Sequence, residues 1–152
     1  NEKSKLPTHK RQVEIVKELI QIDKSIKKIS IIGAKKDIQT WKDTDFKNKK
    51  VIFDFCFNQS VSKIINNISN CSIVIGGDTG LSHLASFLNI KMLCFGGVTQ
   101  DQVSGPINVK NVHWISHKEN CGGCYNPYGY TCKNCLDTIS VLEINNCLKK
   151  VS

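Results

Sequence analysis

Residues 72–85 read Ser-Ile-Val-Ile-Gly-Gly-Asp-Thr-Gly-Leu-Ser-His-Leu-Ala, and this stretch decides the fold. The apolar run Ser72–Ile75 is typical of a buried strand in a parallel sheet. From Leu81 onward the apolar residues recur at helical spacing, which predicts a helix. The glycine-rich turn between strand and helix therefore lies at the carboxyl edge of the predicted sheet, where open α/β sheets bind ligands.

The turn offers the groups that an anionic ligand needs. Its glycines let the backbone approach a ligand closely, and the amides at the start of a helix favour negative charge. Asp78 adds a hydrogen-bond acceptor, and His83 adds a titratable donor. The alternative is that Asp-Thr-Gly forms only a turn and a helix cap, with a purely structural histidine.

The rest of the chain alternates strands with helices. Strands are predicted at 28–33, 51–55, 92–95 and 112–115, and amphipathic helices near 8–22 and 60–68. This alternation predicts an α/β protein with a doubly wound, Rossmann-like, mostly parallel sheet. We expect residues 1–152 to form a single domain, which is long enough to bury a substantial core.

Charge alone suggests nucleic acid as a partner, because the formal net charge is +8 and the pI is about 9.1. However, Arg11 is the only arginine, and the lysines are scattered along the chain. Base readout and bidentate phosphate binding both favour arginine. We therefore expect no nucleic-acid partner, and no apolar run is long enough to predict a transmembrane segment.

Two Cys-x-x-Cys pairs lie near the end of the chain, separated by seven residues. Four thiolates at this spacing are typical of a tetrahedral zinc or iron site, formed here by Cys121, Cys124, Cys132 and Cys135. We expect a small cysteine-rich metal-binding finger at about 119–137 and a helix at about 138–150, whose Cys147 could substitute for a ligand. The alternatives are reduced thiols, disulfides in an oxidising compartment, or a redox domain.

Asp-Thr-Gly-x-x-His-x-Ala after an apolar strand resembles the signature of glycosyltransferase family 9. This family contains the ADP-heptose heptosyltransferases of bacterial surface-glycan assembly. Downstream, residues 91–97 resemble the next strand and glycine turn of the family. The turn reads Gly96-Gly97-Val98-Thr99 here and lacks the usual proline.

The resemblance implies the C-terminal half of a GT-B enzyme, the half that holds the nucleotide-sugar donor. The other half would carry the acceptor site and the catalytic base, so no catalytic residue is assigned within this chain. The expected partners are an ADP-sugar donor, an N-terminal acceptor domain of the same enzyme, and a glycan or protein acceptor. The autotransporter heptosyltransferases look especially similar, because they have a cysteine finger that holds iron. The resemblance also implies the bacterial cytoplasm, with peripheral attachment to the inner membrane.

Carried onto this sequence, the resemblance assigns donor binding to Asp78, Thr79, Gly80, His83, Asp37, Gln59, Lys5, Gly96 and Thr99. The first four would hold the diphosphate and the sugar. Asp37 would bind the ribose, with a helix N-cap as the alternative. Gln59 would lie on the adenine side, and Lys5 would neutralise a phosphate.

Two functions remain open on this basis. The first is the donor-binding half of an inverting glycosyltransferase that adds heptose to a bacterial surface glycan or protein. The second is a metal-stabilised binding module with a glycosyltransferase-like fold and no transfer activity. For the first, we expect the isolated chain to bind donor without transferring its sugar.

Overall fold

The computed structural model describes residues 6–46, 50–97, 104–107, 109–116 and 135–151. The helices are α1 (His9–Ile22), α2 (Ile38–Lys42), α3 (Val61–Ser69), α4 (Gly80–Phe87) and α5 (Val141–Val151). The strands are β1 (Lys28–Gly33), β2 (Ile52–Phe57), β3 (Ile73–Gly77), β4 (Lys91–Phe95) and β5 (Val112–Ile115). Short 3-10 turns occur at Lys35–Asp37, Val109–Asn111 and Cys135–Thr138.

All strand pairs in the described residues are parallel. β1 pairs with β2, and β4 pairs with both β3 and β5. The prediction of an α/β fold with parallel pairing is therefore confirmed. The sheet differs from the prediction in one respect, because its hydrogen bonds divide the described strands into a two-stranded and a three-stranded sheet. Ile32 of β1 packs into the same apolar cluster as Val74 of β3, so side-chain packing joins the two sheets.

Strand β4 is covered on both faces. Met92 and Cys94 contribute to an apolar cluster with Ile68 of α3 and Ala85 of α4. The alternate residues of β4 pack on the opposite face against α1 and α5, in a cluster that contains Leu93, Phe95, Ile15, Leu19 and Ile144. The period of two along a strand produces this division. The result is the helix–sheet–helix layering that a doubly wound sheet requires.

Short-range capping sets where several helices begin. The Thr8 hydroxyl accepts a hydrogen bond from the Arg11 amide, and the Ser60 hydroxyl accepts one from the Lys63 amide. Ser140 likewise accepts from the amide of Glu143 at 3.1 Å. These hydroxyls satisfy amides that a helix leaves unpaired in its first turn. The predicted C-terminal helix at about 138–150 is present as Val141–Val151.

The start of α1 is also bound to the turn that precedes α5. Both oxygens of the Asp137 carboxylate accept hydrogen bonds from Thr8, one from its amide and one from its hydroxyl, each at 2.7 Å. Arg11 donates to the carbonyl of Ile139 at 2.8 Å. Residues 129 positions apart in the sequence are thus held together by polar contacts.

Aromatic side chains line one face of β2. Phe53, Phe55 and Phe57 follow each other along this face with ring centroids 6.5 and 6.3 Å apart. Trp41 of α2 extends the row through Phe46, which stacks on Phe53 at 4.2 Å. Trp41 is buried, so its role in the described structure is packing. Among the described helices, none has the length and apolar character needed to cross a membrane.

Candidate functional site

The candidate site is the turn between β3 and α4. Strand β3 ends at Gly77, where it pairs with Phe95 of β4, and α4 begins at Gly80. Asp78 and Thr79 therefore lie directly after the carboxyl end of a parallel strand. The strand–turn–helix predicted from residues 72–85 is confirmed.

Ser82, in the first turn of α4, stabilises the turn by a hydrogen bond to its backbone. Its buried hydroxyl donates to the carbonyl of Gly77. Gly76 lies close by, since a Cβ atom there would be 3.3 Å from the Ser82 Oγ. No role was predicted for Ser82, although serine near the start of a helix often bonds a nearby backbone group.

The Asp78 carboxylate is buried, with 3% of the residue exposed. One oxygen, Oδ2, accepts a hydrogen bond from the Ser104 hydroxyl at 2.8 Å. The other, Oδ1, lies 3.4 Å from Nε2 of His83. The His83 side chain is 42% exposed, so this pair joins a buried acid to a histidine that reaches solvent.

Cys94 of β4 lies behind the turn. Burial, followed by the negative charge of Asp78, raises the pKa of the Cys94 thiol to about 12. The thiol therefore stays protonated at neutral pH and adds no second negative charge beside Asp78. It is a packing residue of the core, as expected for a cysteine within a strand.

The start of α4 is open to a ligand. The Thr79 carbonyl accepts from the amides of Ser82 and His83 at 3.0 and 3.2 Å, and the Thr79 side chain makes no capping hydrogen bond. Gly80 is exposed, and among the described residues no heavy atom would lie within 4 Å of a Cβ atom at this position. Amides at such a helix start suit phosphate or carboxylate oxygens.

Two other predicted donor residues follow the strands of the two-stranded sheet, β1 and β2. Asp37 comes four residues after Gly33 and lies at the N-cap position of α2, but its side chain makes no capping hydrogen bond. Gln59 follows β2, and its side-chain oxygen accepts from the Asn67 amide group at 2.8 Å. The contact fixes Gln59 against α3. The donor roles of both residues remain predictions.

Gly96 has a clear packing role. A Cβ atom there would lie only 2.0 Å from Nε1 of Trp114, and the Gly96 amide donates to the Ile115 carbonyl at 2.9 Å. Only glycine lets the indole of Trp114 lie against this turn. Trp114 itself packs onto the apolar cluster of β4. The proposed donor contact of Gly96 stays a prediction beside this structural one.

Several predicted site residues lie outside the described residues, namely Lys5, Thr99, Cys121, Cys124 and Cys132. Cys135 is described only as the first residue of a short turn. Cys147 is buried in the apolar cluster on the α5 face of the sheet. Within the ranges that the structure describes, no three histidine, cysteine or acidic side chains are grouped to hold a metal ion.

A groove of about 560 Å³ lies elsewhere, between α1 and α2. Its walls carry basic and acidic side chains, including Lys10, Lys17, Glu14 and Asp43. None of the predicted donor residues within the described ranges lines it. We place the candidate site at the β3–α4 turn, because buried polar groups converge there with an open helix start.

The parallel strands and covering helices place this chain in the α/β class. In open α/β sheets, ligands bind outside the carboxyl ends of the strands, where the β3–α4 turn lies. The sequence profile described as Glycosyltransferase family 9 (heptosyltransferase) matches residues 12–130. The chain therefore belongs to glycosyltransferase family 9, as the signature in residues 72–85 predicted.

Two individual proteins similar to this chain are also heptosyltransferases. The chain is similar to the lipooligosaccharide heptosyltransferase 2 of Haemophilus influenzae, at 24% identity over 86 residues that make up 54% of this chain. The described fold also matches the structure of E. coli ADP-heptose lps heptosyltransferase II, with a TM-score of 0.73 and 16% identity. The structural match covers 97% of this chain.

The chain is much shorter than these relatives. The matched region spans 25% of the Haemophilus protein, and the structural match spans 42% of the E. coli chain. The likeness to the solved structure thus shows that this chain has the fold of less than half of the E. coli chain.

Proposed function

We propose that this chain is the donor-binding half of an inverting GT-B glycosyltransferase that uses ADP-heptose or a related nucleotide sugar. The acceptor would be a bacterial surface glycan or a protein, and the enzyme would work in the cytoplasm at the inner membrane. The observation that carries the proposal is the β3–α4 turn, where a buried acid and a half-exposed histidine flank an open helix start. Family membership supports the reaction class.

The residues of the turn divide the work of donor binding. The amides at Thr79 and Gly80 would hold phosphate oxygens, with help from the partial positive charge of the α4 start. His83 would contribute a hydrogen-bond donor beside the diphosphate. Asp37 would bind the ribose and Gln59 the adenine side. Lys5, Gly96 and Thr99 would complete the site.

The same contacts would assist transfer. As the sugar leaves, negative charge accumulates on the diphosphate, and preorganised amides stabilise that charge. A general base must also deprotonate the acceptor. We place this base in an N-terminal acceptor domain, because the acid nearest the open helix start, Asp78, is buried and already bound to Ser104. Closure of the two domains would exclude water from the reactive donor.

Gly80→Ala is the sharpest test of donor binding. The added methyl group would meet no heavy atom of the described residues within 4 Å, so we expect the substitution to leave the fold intact. It would project into the space proposed for phosphate, and we expect it to weaken ADP-heptose binding by about 1–3 kcal/mol in calorimetry. Asp78→Asn and His83→Ala should also weaken binding. Asp43→Asn, which changes an exposed acid at the C-terminal end of α2, is the control and should leave binding unchanged.

The donor site is wrongly placed if Gly80→Ala, Asp78→Asn and His83→Ala all bind ADP-heptose as well as the unsubstituted chain. A transfer assay tests the second half of the proposal. We expect no turnover by this chain alone and recovery of activity when the N-terminal domain is present. Turnover by the isolated chain would show that the base lies within residues 1–152.

For the cysteine-rich finger, we propose one structural zinc or iron ion bound by Cys121, Cys124, Cys132 and Cys135. The support is chemical, since four thiolates in two Cys-x-x-Cys pairs match the tetrahedral preference of both metals. Elemental analysis of protein purified without added metal should find about one ion per chain. A folded, metal-free protein with four titratable thiols in this segment would exclude the site.

A further inference from the structure

Ser104 contacts the candidate site from a distant part of the chain. It lies between β4 and β5, 26 residues beyond Asp78, and its hydroxyl donates to Asp78 Oδ2 at 2.8 Å. Pro106, two residues on, is buried, so the chain packs against the protein at this point. Nothing in the proposed donor contacts requires this hydroxyl to touch a ligand.

The contact engages one of the two oxygens of the Asp78 carboxylate. With Oδ2 bound to Ser104, Oδ1 is the oxygen that lies 3.4 Å from His83 Nε2. The Asp78 side chain is only 4% exposed, whereas that of His83 is 42% exposed. A carboxylate so buried acts on a ligand mainly through the histidine that it orients. A buried acid behind a histidine can fix the orientation of the imidazole ring.

We propose that Ser104 is a positioning residue that holds Asp78 so that His83 faces the anionic part of the bound donor. This inference rests on the proposed function. It also makes donor affinity depend on the segment after β4, because Ser104 belongs to that segment. The three polar groups act as a series in which Ser104 orients Asp78, and Asp78 orients His83.

The surroundings of Asp78 are consistent with this series. His83 faces the carboxylate from α4, and Ser104 faces it from the segment after β4. From β4 it faces the thiol of Cys94, whose pKa is raised to about 12, so that the thiol is neutral. The Cys94 thiol therefore adds no negative charge beside Asp78 at neutral pH.

The test measures ADP-heptose affinity by calorimetry in Ser104→Ala, Ser104→Thr, Asp78→Ala and the Ser104→Ala/Asp78→Ala double variant. Loss of one hydrogen bond to a buried carboxylate should make Ser104→Ala bind about tenfold more weakly. Ser104→Thr keeps the hydroxyl and should restore affinity to within about twofold. In the Asp78→Ala background, Ser104→Ala should have no further effect, because its target is gone.

A second measurement does not need the ligand. The imidazole signals of His83 in ¹H–¹⁵N spectra, assigned by their loss in His83→Gln, should move in Ser104→Ala and return in Ser104→Thr. The signals of His9, which packs edge-on against Trp41 away from the turn, should stay in place. This measurement also covers the case in which Asp78→Ala fails to fold.

The outcomes separate the two proposals. If the unsubstituted chain does not bind ADP-heptose, the proposed function fails, and this inference fails with it. If the unsubstituted chain binds and Ser104→Ala binds equally well, only the role of Ser104 is refuted. That role is also refuted if the His83 signals do not respond to Ser104→Ala, or if the effects of Ser104→Ala and Asp78→Ala are additive.

Discussion

Replacement of Asp137 tests the contact between the start of α1 and the turn before α5. Both carboxylate oxygens bind Thr8 at 2.7 Å, and Thr8 is the residue that caps α1. A hydrogen bond to a charged group contributes about 1.5–3 kcal/mol when buried, and partial exposure reduces each of these two to about 1 kcal/mol. A negative charge at the start of a helix adds about 0.3–1 kcal/mol.

We therefore expect Asp137→Ala to lower the free energy of unfolding by about 2–3 kcal/mol. Asp137→Asn should lose only about 1 kcal/mol, because an amide can still accept from the Thr8 amide and donate to its hydroxyl. The measurement is urea denaturation at pH 7, followed by far-UV circular dichroism.

Asp43→Asn is the matched control. Asp43 is exposed and accepts one hydrogen bond from Gln39 within α2, at 2.7 Å. Its replacement should change the free energy of unfolding by less than about 0.5 kcal/mol. The Asp137–Thr8 contact does not stabilise the fold as proposed if Asp137→Ala is no less stable than this control, or if the alanine and asparagine variants are equally stable.

Two further predictions concern the strands around the site. Gly96→Ala should destabilise the protein by about 1–3 kcal/mol in the same denaturation assay, because its Cβ would overlap the Trp114 indole. Gly80→Ala should not destabilise it, and equal stability of the two variants would contradict this packing. Cys94, with its pKa raised to about 12 by burial, should resist iodoacetamide at pH 8 and react only after urea is added. Mass spectrometry of the peptide that contains Cys94 checks this, and rapid labelling of the native protein would show that the strand is accessible.

Local signals predicted the strand–turn–helix at the site. Within 14 residues the chain has an apolar run, a pair of glycines and apolar residues at helical spacing. These local features were enough to predict the strand, the turn and the helix. The caps at Thr8 and Ser140 were predictable for the same reason, because each hydroxyl binds an amide three residues along the chain. Interactions of this range leave a direct trace in the sequence pattern.

Long-range contacts left no such trace. The partner of Asp78 is Ser104, and the partner of Thr8 is Asp137, at separations of 26 and 129 residues. The close approach of the Trp114 indole to Gly96 was likewise not predicted, and the donor contact expected of Gly96 stays a prediction. Hydrophobic periodicity and turn residues predict the secondary structure of a segment and which of its faces is buried. They do not predict which distant polar group a side chain will bind. The division of the strands into two sheets was missed because strand pairing, too, depends on distant partners.

The double coverage of β4 has a consequence for the motions of the protein. Met92–Phe95 are at most 3% exposed, and β4 is hydrogen-bonded to a strand on either side. Its amides have no low-energy local opening through which water could enter, so their protons should exchange with deuterium only when the whole protein unfolds. The β3–α4 turn follows directly from a strand that pairs with β4. A strand that opens only on global unfolding would keep the end of β3, and with it the proposed donor-binding turn, in a constant position.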